Sequence, residues 1–316
     1  MNSYISAIFS FFLTYFSLKI SIPFLKRYFI DKPNQRSSHK IAKPTGGGIF
    51  FVSIGSLFCF FSGNIIPTYC IPLSLVGIFD DLYDLPPFLR YLAQLFTVLF
   101  LFSSVSENNF LQPTITYFNF FIIYFFMIIF ATAIINFTNF MDGIDGLVGG
   151  CFIVIFLSSM IINDSTIFPL VGSLLGFLIL NWNPSKVFMG DSGSTFLGAL
   201  LLGLILDSGN IKNTIALIMI SSPLLIDAGI CVFRRFFNGQ NIFKAHKSHL
   251  YQRLIQSGWS HARVSLLYIL STIFLSLSYF FLGLIGLLLI SLILLLFGIY
   301  LDLYIAVPFR ISFEKN

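Results

Sequence analysis

Residues 264–301 read VSLLYILSTIFLSLSYFFLGLIGLLLISLILLLFGIYL, a stretch without a single Asp, Glu, Lys or Arg. Its apolar residues do not alternate with polar ones, so it is not a half-exposed strand, and it is about twice the roughly 20 residues that one helix needs to cross a hydrocarbon core. It reads as two membrane helices, near 263–282 and 284–304. Hydrocarbon offers backbone groups no partners, so only helices and closed barrels cross it, and continuous apolar runs favour helices. Working upstream, further runs fall near 3–22, 47–63, 64–79, 88–105, 117–136, 144–162, 166–181, 194–207 and 212–232. The composition agrees: of 316 residues, 57% are hydrophobic and 10% charged, with 41 Phe, whereas soluble domains are roughly a quarter charged. The mean hydropathy is +0.90. The expected fold is all-α, a polytopic integral membrane protein of about 10–11 transmembrane helices that leaves no length for a large soluble domain. Residues 1–22 lack the basic flank of a cleaved signal peptide and read as a first membrane helix. Cys59, Cys70, Cys151 and Cys231 lie scattered in apolar stretches without CxxC spacing, which suggests buried thiols rather than a disulfide framework or a zinc site.

Charge sets the expected orientation. Lys26, Arg27, Lys32, Arg36, Lys40 and Lys43 fall in one break, and Arg234, Arg235, Lys244, Lys247, Arg253 and Arg263 in another. With the spans above, these two breaks, Arg90, Lys186 and the C-terminal cations share one side, and Lys212 lies opposite. The positive-inside rule then places the N-terminus outside and the C-terminus in the cytoplasm. The expected cytoplasmic loops are about 23–46, 80–88, 137–143, 182–193 and 233–262 of a single transmembrane domain spanning 1–316. Asp80, Asp81, Asp84, Asp142, Asp145 and Asp191 gather on that same side with His246 and His249. Carboxylates at a lipid boundary are costly and tend to mark function.

Five segments carry this polarity. The run FDDLYDL (79–85) places adjacent carboxylates at a helix end, able to bind a cation or to set each other's acidity. NFTNFMDGIDGL (136–147) spaces Asn and Asp by three and supplies hard oxygen donors suited to Mg²⁺; a cap followed by a Gly-rich turn is the plainer reading. In FMGDSGS (188–194), Asp191 precedes an apolar helix, where it could cap the N-terminus or help place a phosphate. RSSHKIAKPTGGG (36–48) joins cations to three glycines, which suits close approach of a phosphate, although topology alone also explains the charge. HKSHLYQRL (246–254) puts His246, His249 and Arg253 on one face if helical, a face able to grip a diphosphate; an exposed amphipathic segment is the alternative. Asp227 and Asp302 read as internally paired structural residues.

In this order and on one face, the five segments resemble the polyprenyl-phosphate N-acetylhexosamine-1-phosphate transferases, from about Asp31 to Arg253. The resemblance implies a membrane enzyme that moves a sugar-1-phosphate from a UDP-sugar to polyprenyl (undecaprenyl) phosphate and releases UMP, using Mg²⁺ with Mn²⁺ as a substitute. By the same resemblance, Asn139 and Asp191 match the metal ligands and Asp80 and Asp81 the catalytic aspartate pair. Lys40, Thr45, Asp142 and Asp145 match nucleotide contacts, while His246, His249 and Arg253 fall in the histidine motif counted with the catalytic residues. Asp84 stands where the peptidoglycan branch has lysine, and three adjacent histidines are absent; both departures look like the O-antigen-initiating branch.

The resemblance implies a multi-pass protein of the inner (cytoplasmic) membrane with its site facing the cytoplasm. Its partners would be the lipid carrier, a UDP-N-acetylhexosamine-type donor and membrane lipids, with a homodimer as a compatible assembly and no role for nucleic acid. The alternative from another class is a transporter of a polar or anionic solute. Transporters commonly place their sites near the midplane on broken helices in repeated halves, and no repeat is visible here.

Overall fold

The computed structural model describes residues 3–31, 42–105, 117–163, 166–241 and 246–310. The chain runs through α1 (Ser3–Tyr28), a two-residue antiparallel pair β1 (Ile30–Asp31) and β2 (Lys43–Pro44), α2 (Gly48–Phe61), α3 (Ile66–Tyr69) and α4 (Ile71–Tyr83). It continues through α5 (Pro87–Val105), α6 (Tyr117–Met141), α7 (Leu147–Asn163), α8 (Phe168–Asn181) and α9 (Asp191–Leu206). Last come α10 (Ile211–Ile220), α11 (Ser222–Phe237), α12 (Leu250–Gln256) and α13 (His261–Tyr300). The all-α expectation holds; the tiny β1–β2 pair only ties the ends of the first polar loop together.

Among the described residues, α1, α5, α6 and the segment His261–Ile305 can cross a membrane by length and composition. The bent pair α10–α11 adds a fifth candidate. That is fewer than the eleven separate runs expected, for three physical reasons. First, α13 and its π-helical end carry both C-terminal runs as one 45-residue segment, broken at Gly283 with φ +66. Second, the run 212–232 is divided before Pro223, where α10 and α11 meet at 71°. Third, α2, α7, α8 and α9 are apolar but have at most 17 residues. Of these, α7, α8 and α9 lie largely inside the protein. Every residue of α9 from Ser192 to Leu206 is buried, so lipid thickness does not set its length.

Burial on the outer helices is arranged by small and polar residues. In α1, Ser6, Ser10 and Thr14 face inward while Phe9, Phe12, Phe16 and Ile20 are exposed. Ser10 Oγ donates to the Pro169 carbonyl at 2.6 Å, Thr14 and Ser173 hydroxyls meet at 2.7 Å, and Ser173 Oγ donates to Phe51 O at 3.0 Å. A Cβ at Gly172 or Gly176 of α8 would strike the Ala7 or Phe11 carbonyl of α1. Without a hydrophobic drive between helices in lipid, such close backbone packing and interhelical hydrogen bonds hold them together. Apolar side chains are thus left for the outside, and the second half of α13 is an extreme case, with Ile285 and Leu282 strongly exposed.

The packing predicts that Gly176→Leu separates α1 from α8 and sharply lowers the yield of monodisperse protein in detergent. Phe12→Leu, on the exposed face, should leave yield and melting unchanged. Equal behaviour of the two variants in size exclusion and thermal melting would contradict this arrangement.

Candidate active site

Three helix ends converge on one polar cluster. Asp80 and Asp81 lie in the last turn of α4, Asn139 in the last turn of α6, and Asp191 opens α9. Pro86 and Pro87 account for the first of these ends: proline disfavours helix in the residue before it and suits the first turn of the next helix, so α4 stops and α5 starts. Asp84, in the left-handed region at φ 50, closes α4. Gly77 lets α4 lie directly on the backbone of Asp191 and Ser192, where a Cβ would collide. Gly190, at φ +73, turns the chain into α9, and a side chain there would run into the Asp81 carboxylate and the Thr45 hydroxyl. Thr45 is therefore brought to the same point.

The contacts inside the cluster are specific. The Asp191 amide donates to Asp81 Oδ1 at 3.1 Å. Asp80 accepts from the Leu85 amide at 2.7 Å and from Arg90 Nη1 at 3.0 Å, and the same guanidinium nitrogen lies 3.8 Å from Asp191 Oδ2. Asn139 Nδ2 donates to Asp191 Oδ1 and to Ser194 Oγ, both at 2.9 Å. Asp81 Oδ2 is buried without a hydrogen-bond partner. Two carboxylates thus share Arg90, and the third, Asp81, joins them through the Asp191 amide with one oxygen left bare. An unpaired buried carboxylate oxygen carries a desolvation cost of roughly 1–3 kcal/mol or more, which a hard divalent cation would relieve. Oxygen donors of this kind suit Mg²⁺. The donor set fits the metal that the family resemblance implies.

Asp142 lies just past the end of α6 and is pushed up to about 8 by burial and then by the charges of Asp191 and Asp145. Near neutral pH it is therefore held largely protonated, ready to donate a hydrogen bond. Asp145 behaves in the opposite way. Burial pushes its carboxyl up, but His261, the Ser185 amide and hydroxyl, and Lys43 outweigh this and hold it well below the usual carboxylate range. Ser185 donates to it from N at 3.1 Å and from Oγ at 2.8 Å, Lys43 Nζ lies 3.5 Å away and His261 Nδ1 3.6 Å away. Ser265 Oγ also donates to its carbonyl at 2.8 Å. Only 2% exposed, Asp145 pins the first loop, the α8–α9 loop and the start of α13 to one another. Both of its oxygens are occupied, which does not suit the nucleotide contact expected of it. Lys40 lies outside the described residues.

The histidine segment also departs from expectation. Its helix, α12, begins after His249, so His246, His249 and Arg253 do not share a helical face, although the two histidine rings lie tilted against each other with centroids 4.9 Å apart. Nor is the segment exposed surface, because His249 and Arg253 are 3% and 2% exposed. Asp227 accepts from the Leu250 and Tyr251 amides at 2.7 and 3.1 Å and from the Tyr268 hydroxyl at 2.7 Å, fastening α12 to α11 and α13. Arg253 is tied to the Ser248 and Val307 carbonyls and to Asp302, which also holds Arg234. Asp227 and Asp302 are thus internally paired, as their sequence context suggests. Burial, then His249 and Arg235, push His246 down to about 3; burial, then Arg235, do the same to His249. Without a ligand the two rings thus add no fixed positive charge to the site. Tyr251 brings this segment to the active side by donating to the Phe140 carbonyl, next to Asn139, at 3.0 Å.

Arg90, Lys43, Ser185 and His261 are partners that motif reading passed over. Arg90 entered the sequence argument for its sign alone. Its place ten residues after Asp80, just past the Pro86–Pro87 reversal, is the signal that could have paired the two.

The Asp145 contacts predict a structural phenotype. Asp145→Asn removes the charge from a buried network and should cost about 3 kcal/mol, the lower range for breaking a buried ion pair, seen as a lower melting temperature in metal-free detergent solution. Asp142→Asn replaces a largely neutral group with a neutral one and should not lower it. Unchanged melting of Asp145→Asn would contradict the assignment.

Comparison with known proteins follows the same residues. The family model for glycosyl transferase family 4 matches residues 65–209. The chain is 32% identical to a phospho-N-acetylmuramoyl-pentapeptide-transferase of Prochlorococcus marinus (strain NATL2A), over 68% of this chain and 69% of that protein. It is 29% identical to the undecaprenyl-phosphate alpha-N-acetylglucosaminyl 1-phosphate transferase of Escherichia coli (strain K12), over 73% and 70% respectively. A Thermotoga maritima protein of the same description is 35% identical over 62% of this chain and 61% of its own length. Asp80, Asp81, Arg90, Asn139 and Asp191, which meet in space, all fall within the matched stretch, and the chain belongs to glycosyl transferase family 4.

Proposed function

We propose that this protein transfers an N-acetylhexosamine-type sugar-1-phosphate from a UDP-sugar to polyprenyl phosphate, giving polyprenyl-diphospho-sugar and UMP. The observation that carries this reading is the meeting of three carboxylates, Arg90 and Asn139 at helix ends of an apolar bundle, with Asp81 Oδ2 unpartnered. Relatives named as sugar-phosphate transferases acting on undecaprenyl phosphate support it. The lipid acceptor cannot leave the bilayer, so a polar site at the edge of such a bundle is where it and a soluble donor can meet.

In this reading Asp191 and the Asn139 amide oxygen would hold Mg²⁺, with Mn²⁺ as a substitute. The metal would supply charge neutralisation for the diphosphate and the departing UMP. Asp81 and Asp80 flank the reacting phosphates, and Arg90 keeps Asp80 in place. The acceptor's phosphate oxygen attacks the phosphorus that bears the sugar, and the bond from that phosphorus to UMP breaks. Phosphoryl transfer depends chiefly on such positioning and charge stabilisation. Thr45, Lys40 and a protonated Asp142 serve the nucleotide, Asp145 positions the loops around it, and Arg253 positions α12. In the transfer step His246 and His249 would serve only as neutral hydrogen-bonding groups. The N-terminus outside, the site facing the cytoplasm, the inner membrane as location and O-antigen or capsule initiation as role belong to the same proposal.

The test is UMP release by purified protein given a UDP-N-acetylhexosamine, polyprenyl phosphate and Mg²⁺. Release should require all three, and Asp191→Asn should lower it at least a hundredfold, about 2.7 kcal/mol in barrier, with melting preserved. Lipid-independent turnover, or solute uptake into proteoliposomes without UMP release, would sink the proposal.

A further inference from the structure

Cys231 in α11, His246 and His249 place one ligand atom each, a sulfur and two ring nitrogens, within 4.8 Å of one another. Sequence spacing hides this group, because the cysteine precedes the histidines by more than ten residues and shares no motif with them. Cys231 and His249 are each 3% exposed and His246 is half-buried, so the group lies inside the protein with one side toward its edge. It contains none of the carboxylates of the proposed Mg²⁺ site.

Two further observations point to an occupant. His249 Nδ1 is buried without a hydrogen-bond partner, while the ring is hydrogen-bonded to the Asp227 backbone. Metal-bound histidines are characteristically held this way, with one ring nitrogen fixed by a backbone or carboxylate partner and the other left for the ion. His246 Nδ1 accepts from the Ser248 amide at 3.3 Å, a long bond that ligation through either nitrogen would displace at little cost. Both rings are held neutral, which is the ligating form.

We propose that Cys231, His246 and His249 form a binding site for a thiophilic transition-metal ion of the Zn²⁺ class, separate from the Mg²⁺ site. The chemistry of the donors selects the ion: one thiolate and two imidazoles suit zinc or copper, whereas Mg²⁺ demands oxygen. On binding, the sulfur–hydrogen bond breaks, a sulfur–metal bond forms, and the proton leaves to solvent. Tetrahedral ligands about 2.0–2.3 Å from a zinc ion lie roughly 3.3–3.8 Å apart, so the side chains must close by about an ångström. Arg235 and Arg253 face the same group. Their charge opposes the dication, so affinity should fall below that of an all-cysteine structural site. The bound ion would staple the segment entering α12 to α11, beside Phe140 and the end of α6.

Cobalt(II) titration of the purified full-length protein in detergent tests this. With excess Mg²⁺ present to occupy the oxygen-donor site, the proposal predicts about one Co²⁺ per chain, a thiolate-to-cobalt charge-transfer band in the near ultraviolet, and displacement by Zn²⁺ but not by the Mg²⁺. Cys231→Ser should abolish the band, while Cys59→Ser, at a buried thiol in α2, and Asp191→Asn should retain it. His246→Asn, at the half-buried edge of the group, serves if Cys231→Ser fails to fold, and should weaken Co²⁺ binding at least tenfold. Absence of the band in the unaltered protein, its persistence in Cys231→Ser, its loss in Asp191→Asn or its displacement by Mg²⁺ would each overturn the proposal.

Discussion

The Asp81 carboxylate reaches from the last turn of α4 to the first peptide of α9, and the polar cluster is built around that contact. It exists because Gly77 and Gly190 remove the side chains that would keep the two backbones apart. Once the ends of α4 and α9 meet, Asp80 and Asp191 share Arg90, and Asn139 closes the group from α6. Helix ends expose unpaired backbone groups, so gathering them at one place concentrates both charge and hydrogen-bonding capacity where the bundle stops.

A second contact set keeps that arrangement in register. Asp145 joins loops that are far apart in sequence through Lys43, Ser185, His261 and Ser265. Asp227 and Asp302 do the same for the C-terminal third by gripping the start of α12 and Arg253. Their buried charges are fully partnered, unlike those of the Asp80–Asp81–Asp191 cluster. That contrast between satisfied and crowded carboxylates separates the residues that hold the site from those proposed to perform its chemistry.

The amino-acid sequence discloses a good deal of this. Unbroken apolar runs announce membrane helices, and Gly283 falls where the long C-terminal run divides. The carboxylate motifs were legible because charge at a lipid boundary is expensive, and the structure gathers Asp80, Asp81, Asn139 and Asp191 from three helix ends. Other features were not legible. Hydropathy runs smoothly across 212–232, so the bend before Pro223 does not register in an average. The polar composition of 246–254 reads as a diphosphate-gripping face or, alternatively, as surface, yet partners on α11, α13 and the C-terminal segment bury it. Cys231 meets His246 and His249 through tertiary packing that no short-range spacing encodes. Whether a carboxylate is spent, like Asp145, or bare, like Asp81 Oδ2, depends on such long-range partners too.

The central claim is that the crowded carboxylates around Asp191 are a divalent-cation site, and Mn²⁺ binding followed by electron paramagnetic resonance tests it without any substrate. Purified protein should immobilise about one Mn²⁺ per chain in competition with Mg²⁺, as expected of hard oxygen donors. Asp191→Asn should lose that signal while Asp84→Asn, at the exposed end of α4, retains it. Equal Mn²⁺ binding by the unaltered protein and Asp191→Asn would contradict the account.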